Sequence, residues 1–328
     1  MIEGRNKVLL FMLRQASILL ILALFAFFGL LSPSFLGPGN LLNILVQSSS
    51  AAIVAIGMTF VLLTGGIDLS VGSIMLVSAA VAGKMVLAGM PLGLALAAII
   101  GVGLLYGALN ALCVTRFKVL PFVVTLATLY IGRGLGLWIT QTRAMNLPDN
   151  LLRLGTARIL GLPFPVIAFL GVLVCAHALL ERTAFGRQIY AIGNSQEAAQ
   201  KAGIPVWRTI GWVYVISGVC AALGGLVSVA QLGAVSPTFG YQREFAAVAA
   251  AVLGGTSLFG GRGGVFPGTV LGAVLIQTVE NGLVIVNADP YLYPIVMSLI
   301  IFLAVLVDSV RHGEILKRSR RFIRAKQA

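Results

Sequence analysis

The stretch "LLTGGIDLSVGS", residues 62–73, interrupts the apolar sequence between two apolar runs at residues 41–64 and 70–88. Each run is long enough to cross the hydrocarbon core of a bilayer as a helix, which takes roughly 20 apolar residues. Gly65 and Gly66 predict the end of the first helix, because glycine readily adopts the left-handed backbone conformation that terminates helices. The stretch therefore predicts a turn between two membrane helices.

Asp68 is a carboxylate between these two apolar runs, and it has two interpretations. It precedes the second run, where an N-cap residue lies, so its side chain would accept from the amide of Ser70 or Val71 and face the positive end of the helix dipole. In the alternative, it is an ionisable group at membrane depth that serves a proton or a substrate. No basic partner lies nearby in the membrane-embedded sequence, which favours the cap.

The composition extends this interpretation to the whole chain of 328 residues. Only 10% of the residues are charged, against roughly 25% in ordinary soluble domains, so a soluble protein is excluded. We predict an all-α, polytopic transmembrane bundle of about ten spans, and we allow half-helices or re-entrant turns within residues 41–88 and 245–285. The predicted spans lie near residues 16–32, 41–64, 70–88, 91–114, 121–140, 164–180, 208–232, 245–260, 264–285 and 291–308.

The formal net charge of +13 reflects lysines and arginines that lie mostly at the ends of spans. A basic tail at residues 309–328 follows the last apolar run, as in a topology anchor beside anionic membrane lipid, and this placement argues against a nucleic-acid partner. Counting basic residues in the short loops places both termini in the cytoplasm. The loop at residues 141–163 carries three arginines and is the weakest part of this topology.

The longest polar stretch lies between the sixth and seventh spans, at about residues 181–208. Asn194 and Glu197 have the spacing of a capping box, and Gly203 followed by Pro205 has the pattern of a helix end. The stretch therefore predicts a short, capped helix on the cytoplasmic face, which would form a docking element.

Polar side chains also recur at helical spacing within two of the spans. The second span carries Asn43, Gln47 and Ser50, and the ninth carries Gln277, Glu280 and Asn281. Lipid offers such groups no hydrogen-bond partners, so both polar faces are expected to turn inward. They either join helices by hydrogen bonds or line a polar pathway.

Known catalytic patterns are missing from the sequence. It has no GxSxG, no HExxH, no metal-binding Cys or His spacing and no GxxxxGK[ST] phosphate loop. The sequence therefore predicts a protein that is not an enzyme and that uses no cofactor or metal.

Three segments in order resemble the permease subunit of bacterial monosaccharide importers of the ATP-binding-cassette class, of the ribose, xylose and galactose type. They are "MTFVLLTGGIDLSVGSIM" (residues 58–75), "FGRQIYAIGNSQEAAQKAGIP" (residues 185–205) and "AVLGGTSLFGGRGGVFPGTVLGAVLIQTVENGL" (residues 251–283). The resemblance implies one transmembrane permease domain over residues 1–328, in the bacterial plasma (inner) membrane. It also implies three partners: a cytoplasmic ABC ATPase, a periplasmic sugar-binding protein and a second permease subunit, most simply another copy of this chain.

The resemblance further implies a role for the polar loop. In that family this loop holds the coupling helix that seats in the ATPase, which here corresponds to about residues 195–202. Glu197, Ala198, Ala199 and Gly203 match its pattern. Two rival functions make no use of such a helix: a proton-coupled secondary sugar carrier with Asp68 and Glu280 as its relay, and a membrane scaffold or receptor subunit.

Overall fold

The computed structural model describes residues 16–306 and 308–309, which are mostly helical. The α-helices, labelled in chain order, are α1 (Ala16–Leu31), α2 (Pro38–Leu63), α3 (Val71–Leu87), α4 (Leu92–Thr115), α5 (Pro121–Thr140), α6 (Asp149–Thr156), α7 (Phe164–Arg182), α8 (Ala184–Asn194), α9 (Gln196–Lys201), α10 (Val206–Leu232), α11 (Arg243–Leu253), α12 (Val270–Ile285) and α13 (Leu292–Leu306). The two-residue strands are β1 (Met145–Asn146), β2 (Arg158–Ile159), β3 (Leu162–Pro163) and β4 (Ala234–Val235), and they pair antiparallel as β1 with β4 and β2 with β3.

Six helical segments in the described part of the chain are long and apolar enough to cross a membrane. They are α2, α4, α5, α7, α10 and Val265–Ile285, which comprises a π-helical turn and α12. The helices α1, α3 and α13 are apolar but shorter. The predicted helical membrane fold is confirmed, whereas ten crossings and cytoplasmic termini stay predictions. Apart from Ser309, the basic tail lies outside the described residues.

The predicted span at residues 245–260 is not one continuous helix. Its helical part, α11, has 11 residues and a length of about 16 Å at 1.5 Å per residue, roughly half the hydrocarbon thickness. The chain leaves the helix at Gly255, which has a φ of +94°, and Gly260 and Gly261 farther along the turn also have positive φ angles. This segment is therefore a half-helix followed by a glycine-rich turn.

The centre of the fold is the crossing of α2 with α10. A Cβ atom added at Gly57 of α2 would lie 2.7 Å from the Cβ of Cys220 in α10, so the two helices meet almost backbone to backbone. Further along the crossing, the Ser50 hydroxyl donates to the carbonyl of Gly224 at 2.8 Å. The helices α3 and α4 pack on α10, and α11 and α12 pack on α2.

Each central helix is followed by a non-helical segment and then by a shorter helix. These segments are residues 64–70 before α3 and, apart from β4, residues 233–242 before α11. The first turn of α3 lies against the second segment, where a Cβ at Gly240 would stand 2.4 Å from the carbonyl of Gly72. The starts of α3 and α11 therefore lie together.

Candidate functional site

A polar cavity of about 510 Å³ lies beside α2, α10 and α12. Its lining includes five of the six residues that the sequence assigned to a pathway: Asn43, Gln47, Ser50, Gln277 and Glu280. The two polar faces predicted on separate helices thus meet in one space. Between them, the Gln277 amide nitrogen donates to the Gln47 side-chain carbonyl at 2.9 Å.

The sixth residue, Asn281, is not among the residues that line this cavity. Its side chain exchanges two hydrogen bonds of 2.9 Å each with Asn40 near the start of α2. Adjacent helical positions are rotated by about 100°, so Glu280 faces the cavity while Asn281 faces the neighbouring helix. Asn281 joins two helices, which is the other role considered for these residues.

Sequence reasoning missed four polar residues of the cavity wall: Thr156, Ser228, Gln231 and Arg243. Ser228 and Gln231 are three residues apart on α10, so the spacing that revealed the other polar faces was present there as well. Gln231 also ties α10 to α2, because its amide nitrogen donates to the carbonyl of Val46 at 3.1 Å.

Arg243 and Glu280 form an ion pair of 3.6 Å that lines two cavities at once. One is the polar cavity, and the other is a more apolar space of about 580 Å³ between α11 and α13. The Arg243 side chain is 38% exposed and that of Glu280 only 13%. Tyr293 of α13 interacts with the same carboxylate from the second cavity.

The structure confirms the hydrogen bond predicted for Asp68 but corrects its position as the N-cap. The residue directly before α3 is Ser70, and its side chain makes no capping bond. Asp68 Oδ1 does accept from the Ser70 amide at 3.0 Å, as expected, but the side chain is 0% exposed and does not line the polar cavity. Its surroundings are other helices, which a sequence pattern alone does not reveal.

Hydrogen bonds from three donors satisfy the Asp68 carboxylate. Besides the amide, the Ser70 hydroxyl donates to Oδ1 at 2.5 Å, and the Ser217 hydroxyl of α10 donates to Oδ2 at 2.7 Å. The network continues from Ser70 to Asn110 of α4 and from there to Thr128 of α5, at 2.8 and 2.9 Å. One buried carboxylate thus joins the turn after α2 to three other helices.

Before Asp68, the turn follows the prediction closely. Gly65 has a φ of +77°, the left-handed conformation expected at the end of α2. The amides of Gly65 and Gly66 donate to the carbonyls of Leu62 and Val61, which leaves fewer orphan acceptors at the helix end.

The polar loop contains two helices, α8 and α9, and the predicted capping box is wrong. Ser195 is the N-cap of α9, and its hydroxyl accepts from the amide of Ala198 at 3.2 Å. Asn194 instead ends α8 and donates to the carbonyl of Tyr190 at 2.8 Å. Glu197 pairs with Lys201 at 2.6 Å. Both Ser195 and Asn194 are good caps by residue type, so composition could not decide between them.

The short helix α9 presents most of its surface to the outside. Only Ala199 is buried, whereas Glu197 and Lys201 are 79% and 77% exposed and Ala198 is exposed as well. Gly203, directly after its C-cap residue Ala202, has a φ of +80°. The predicted short helix at residues 195–202 is present as Gln196–Lys201, with the glycine where the helix ends.

The end of α8 is fixed to the end of α2 by close backbone contact. A Cβ added at Gly193 would stand 1.9 Å from the carbonyl oxygen of Leu63 and 2.3 Å from the amide nitrogen of Gly261. That same Gly261 amide donates to the Leu63 carbonyl at 2.9 Å. We call these three residues the glycine junction.

Tyr190 adds a side-chain bond beside the glycine junction. Its hydroxyl donates to the carbonyl of Gly263 at 2.9 Å and lies 3.3 Å from a carboxylate oxygen of Glu181. Burial and the Glu181 charge raise the pKa of Tyr190 to about 12, so the hydroxyl keeps its proton at physiological pH and remains a donor.

Comparison with known proteins defines the class. The family described as "Branched-chain amino acid transport system / permease component" matches residues 40–306, and the chain belongs to this family. It is therefore a multi-pass membrane permease and not an enzyme. No solved structure gives a significant match.

Individual relatives are named for sugar transport. The ribose import permease protein RbsC of Haemophilus influenzae is 37% identical over 304 residues, covering 91% of this chain and 94% of that protein. The RbsC of Bacillus subtilis is 40% identical over 283 residues, covering 85% and 88%. The D-allose transport system permease protein AlsC of Escherichia coli is 42% identical over 289 residues, covering 86% and 87%. The resemblance to bacterial monosaccharide permeases is confirmed.

Proposed function

We propose that this chain is the transmembrane permease subunit of an ATP-binding-cassette importer for a monosaccharide in the bacterial inner membrane. The observation that carries the proposal is the polar cavity, in which residues of α2 and α12 face each other inside a mostly apolar bundle. The relatives named for ribose and D-allose support a sugar as the solute.

The cavity supplies the chemistry that an uncharged, hydroxyl-rich solute needs. A sugar that leaves water loses hydrogen bonds, and this loss is costly unless protein groups replace them. Asn43, Gln47, Ser50 and Gln277 offer both donors and acceptors, and Glu280 is balanced by Arg243. These residues form part of the translocation pathway, while Asn281 serves the helix contact.

The exposed helix α9 is the proposed coupling helix, with Asn194, Glu197, Ala198, Ala199 and Gly203 shaping it. It and the loop around it would seat in a cytoplasmic ABC ATPase that binds the nucleotide. A periplasmic sugar-binding protein would deliver the solute at the opposite side of the membrane. A second copy of this chain and the surrounding lipid complete the assembly.

The glycine junction is the contact through which a movement of the ATPase-binding helix would reach the cavity. A shift of α9 on ATP binding would move α8, whose end lies in backbone contact with the end of α2. Because α2 is one continuous helix, displacement of its end at Leu63 also moves Gln47 in the cavity wall. Such rocking would open the pathway to each side in turn.

The function is tested by uptake into vesicles that contain the permease, its ATPase and its binding protein. We expect ATP-driven uptake of radiolabelled D-ribose or D-allose. Replacing Gln47 and Gln277 together with leucine should reduce that uptake at least tenfold, because the solute loses two polar contacts, with little change in the amount of folded protein. Uptake by the permease alone that an uncoupler abolishes would instead establish the proton-coupled carrier.

The docking role of α9 predicts a contrast at Gly203. Gly203→Val should weaken co-purification with the ATPase at least fivefold, because a β-branched residue is strained at a φ of +80°. Gly203→Asn should bind nearly as wild type, since asparagine tolerates this conformation and no atom crowds the position within 4 Å. Equal co-purification of all three proteins would argue against α9 as the docking element.

A further inference from the structure

The ion pair of Arg243 and Glu280 is loose for a pair whose carboxylate is largely buried. Its 3.6 Å separation exceeds the roughly 2.7–2.9 Å of a charge-assisted hydrogen bond. A guanidinium has five N–H donors and a carboxylate about four acceptor positions. Each group therefore has hydrogen-bonding positions that are not used in the ion pair, and both groups line the polar cavity.

We infer that Arg243 and Glu280 together bind the substrate, and that they recognise two neighbouring hydroxyl groups of a neutral sugar ring. This assignment rests on the proposed function and adds residues to it. One hydroxyl donates to the Glu280 carboxylate while its neighbour accepts from the Arg243 guanidinium. A hydroxyl is both donor and acceptor, so adjacent hydroxyls bridge a separated donor and acceptor well.

The surrounding amides extend this arrangement across the cavity. In the bond between Gln277 and Gln47, the Gln277 NH₂ group is the donor and the Gln47 carbonyl is the acceptor. The Gln277 carbonyl and the Gln47 NH₂ group take no part in that bond, so the pair still offers one acceptor and one donor. The site thus has two donor–acceptor pairs, one charged and one neutral.

The charge balance of the site selects the class of substrate. Arg243 and Glu280 cancel, so a neutral polyhydroxylated ring enters without leaving an unpaired charge. A sugar acid or sugar phosphate would bring a negative charge into a partly desolvated space, which is unfavourable without an added counter-charge.

The test separates substrate binding from an architectural role of the pair. Wild type and variants are reconstituted with the ATPase and binding protein, and uptake of radiolabelled D-ribose and D-allose is measured together with ATP hydrolysis stimulated by the loaded binding protein. R243M/E280M removes both charges and all hydrogen bonds at similar volume, and R243Q/E280Q keeps neutral hydrogen-bonding groups. We expect uptake by R243M/E280M to fall at least 20-fold and uptake by R243Q/E280Q to fall about threefold, with ATP hydrolysis changed less than twofold in both.

The matched control is N40L/N281L, which removes a polar pair next to Glu280 on α12 but outside the cavity. Its uptake per folded transporter should stay within threefold of wild type. Wild-type uptake by R243M/E280M, or equal losses in R243M/E280M and R243Q/E280Q, would overturn the inference.

Two further outcomes keep the test decisive. If R243M/E280M does not fold, Glu280→Gln alone should reduce uptake about fivefold, and unchanged uptake by that variant would overturn the inference. If wild-type protein itself shows no ATP-driven uptake of either sugar, the proposed function fails, which is a separate result from unaffected variants in an active transporter.

Discussion

Gly193→Ala should reduce ATP-driven uptake at least tenfold, although the protein still inserts into the membrane. The added methyl group would stand 1.9 Å from the Leu63 carbonyl oxygen and 2.3 Å from the Gly261 amide nitrogen. Both are backbone atoms that cannot rotate away, so α8 must move off the end of α2. Overpacking of this kind typically costs about 1–3 kcal/mol, and here it falls on the contact through which α9 would drive the pathway.

The measurement combines uptake with ATPase co-purification in the same vesicles. We expect the ATPase to remain bound, because α9 and its exposed face are unchanged, while sugar movement per ATP hydrolysed falls. Gly171→Ala is the matched control, since Gly171 lies in α7 with no atom within 4 Å of the added carbon. Full uptake by Gly193→Ala would show that the glycine junction does not transmit motion.

Asp68→Leu should prevent accumulation of folded permease. It leaves the Ser217 hydroxyl and two Ser70 donors without their acceptor in a site that is 0% exposed. Each buried group left unsatisfied costs about 1–3 kcal/mol, so the total approaches the whole stability of a typical domain, about 5–15 kcal/mol. The measurement is the yield of monodisperse protein and its thermal unfolding midpoint.

Asp68→Asn distinguishes an architectural carboxylate from a proton relay. The amide keeps one strong acceptor, and the Ser217 hydroxyl can rotate to accept where it formerly donated. We therefore expect a folded variant whose uptake stays within threefold of wild type. Loss of uptake by a fully folded Asp68→Asn protein would restore the interpretation of Asp68 as a functional ionisable group.

The sequence predicted the elements of this protein where local chemistry decides them. Gly65 ends α2 in the expected left-handed conformation, and Gly203 ends α9. Polar residues at helical spacing on α2 and α12 were expected to turn inward, and five of them meet in one cavity. Lipid forces this outcome, because an amide that faces hydrocarbon has no partner.

Features that depend on distant parts of the chain could not be predicted in the same way. Arg243 and Glu280 are 37 positions apart in the sequence, and Asp68 and Ser217 are 149 positions apart. The choice of Ser195 over Asn194 as the cap depends on where α8 ends. Each result follows from how helices pack, which no short pattern records.

The close contact between Gly72 and Gly240 bears on how this type of protein changes over evolution. Close main-chain contact and hydrogen bonds from the Arg133 guanidinium to the carbonyls of Phe239 and Gly240 hold the starts of α3 and α11 together. None of these groups lines the polar cavity, so the scaffold there is independent of the identity of the residues that face the cavity. Related proteins can therefore differ in the side chains that line the cavity, and with them in the preferred sugar, without a change in this part of the backbone scaffold. Diversification of substrate preference should accordingly concentrate in the cavity wall, while glycines at such contacts stay fixed.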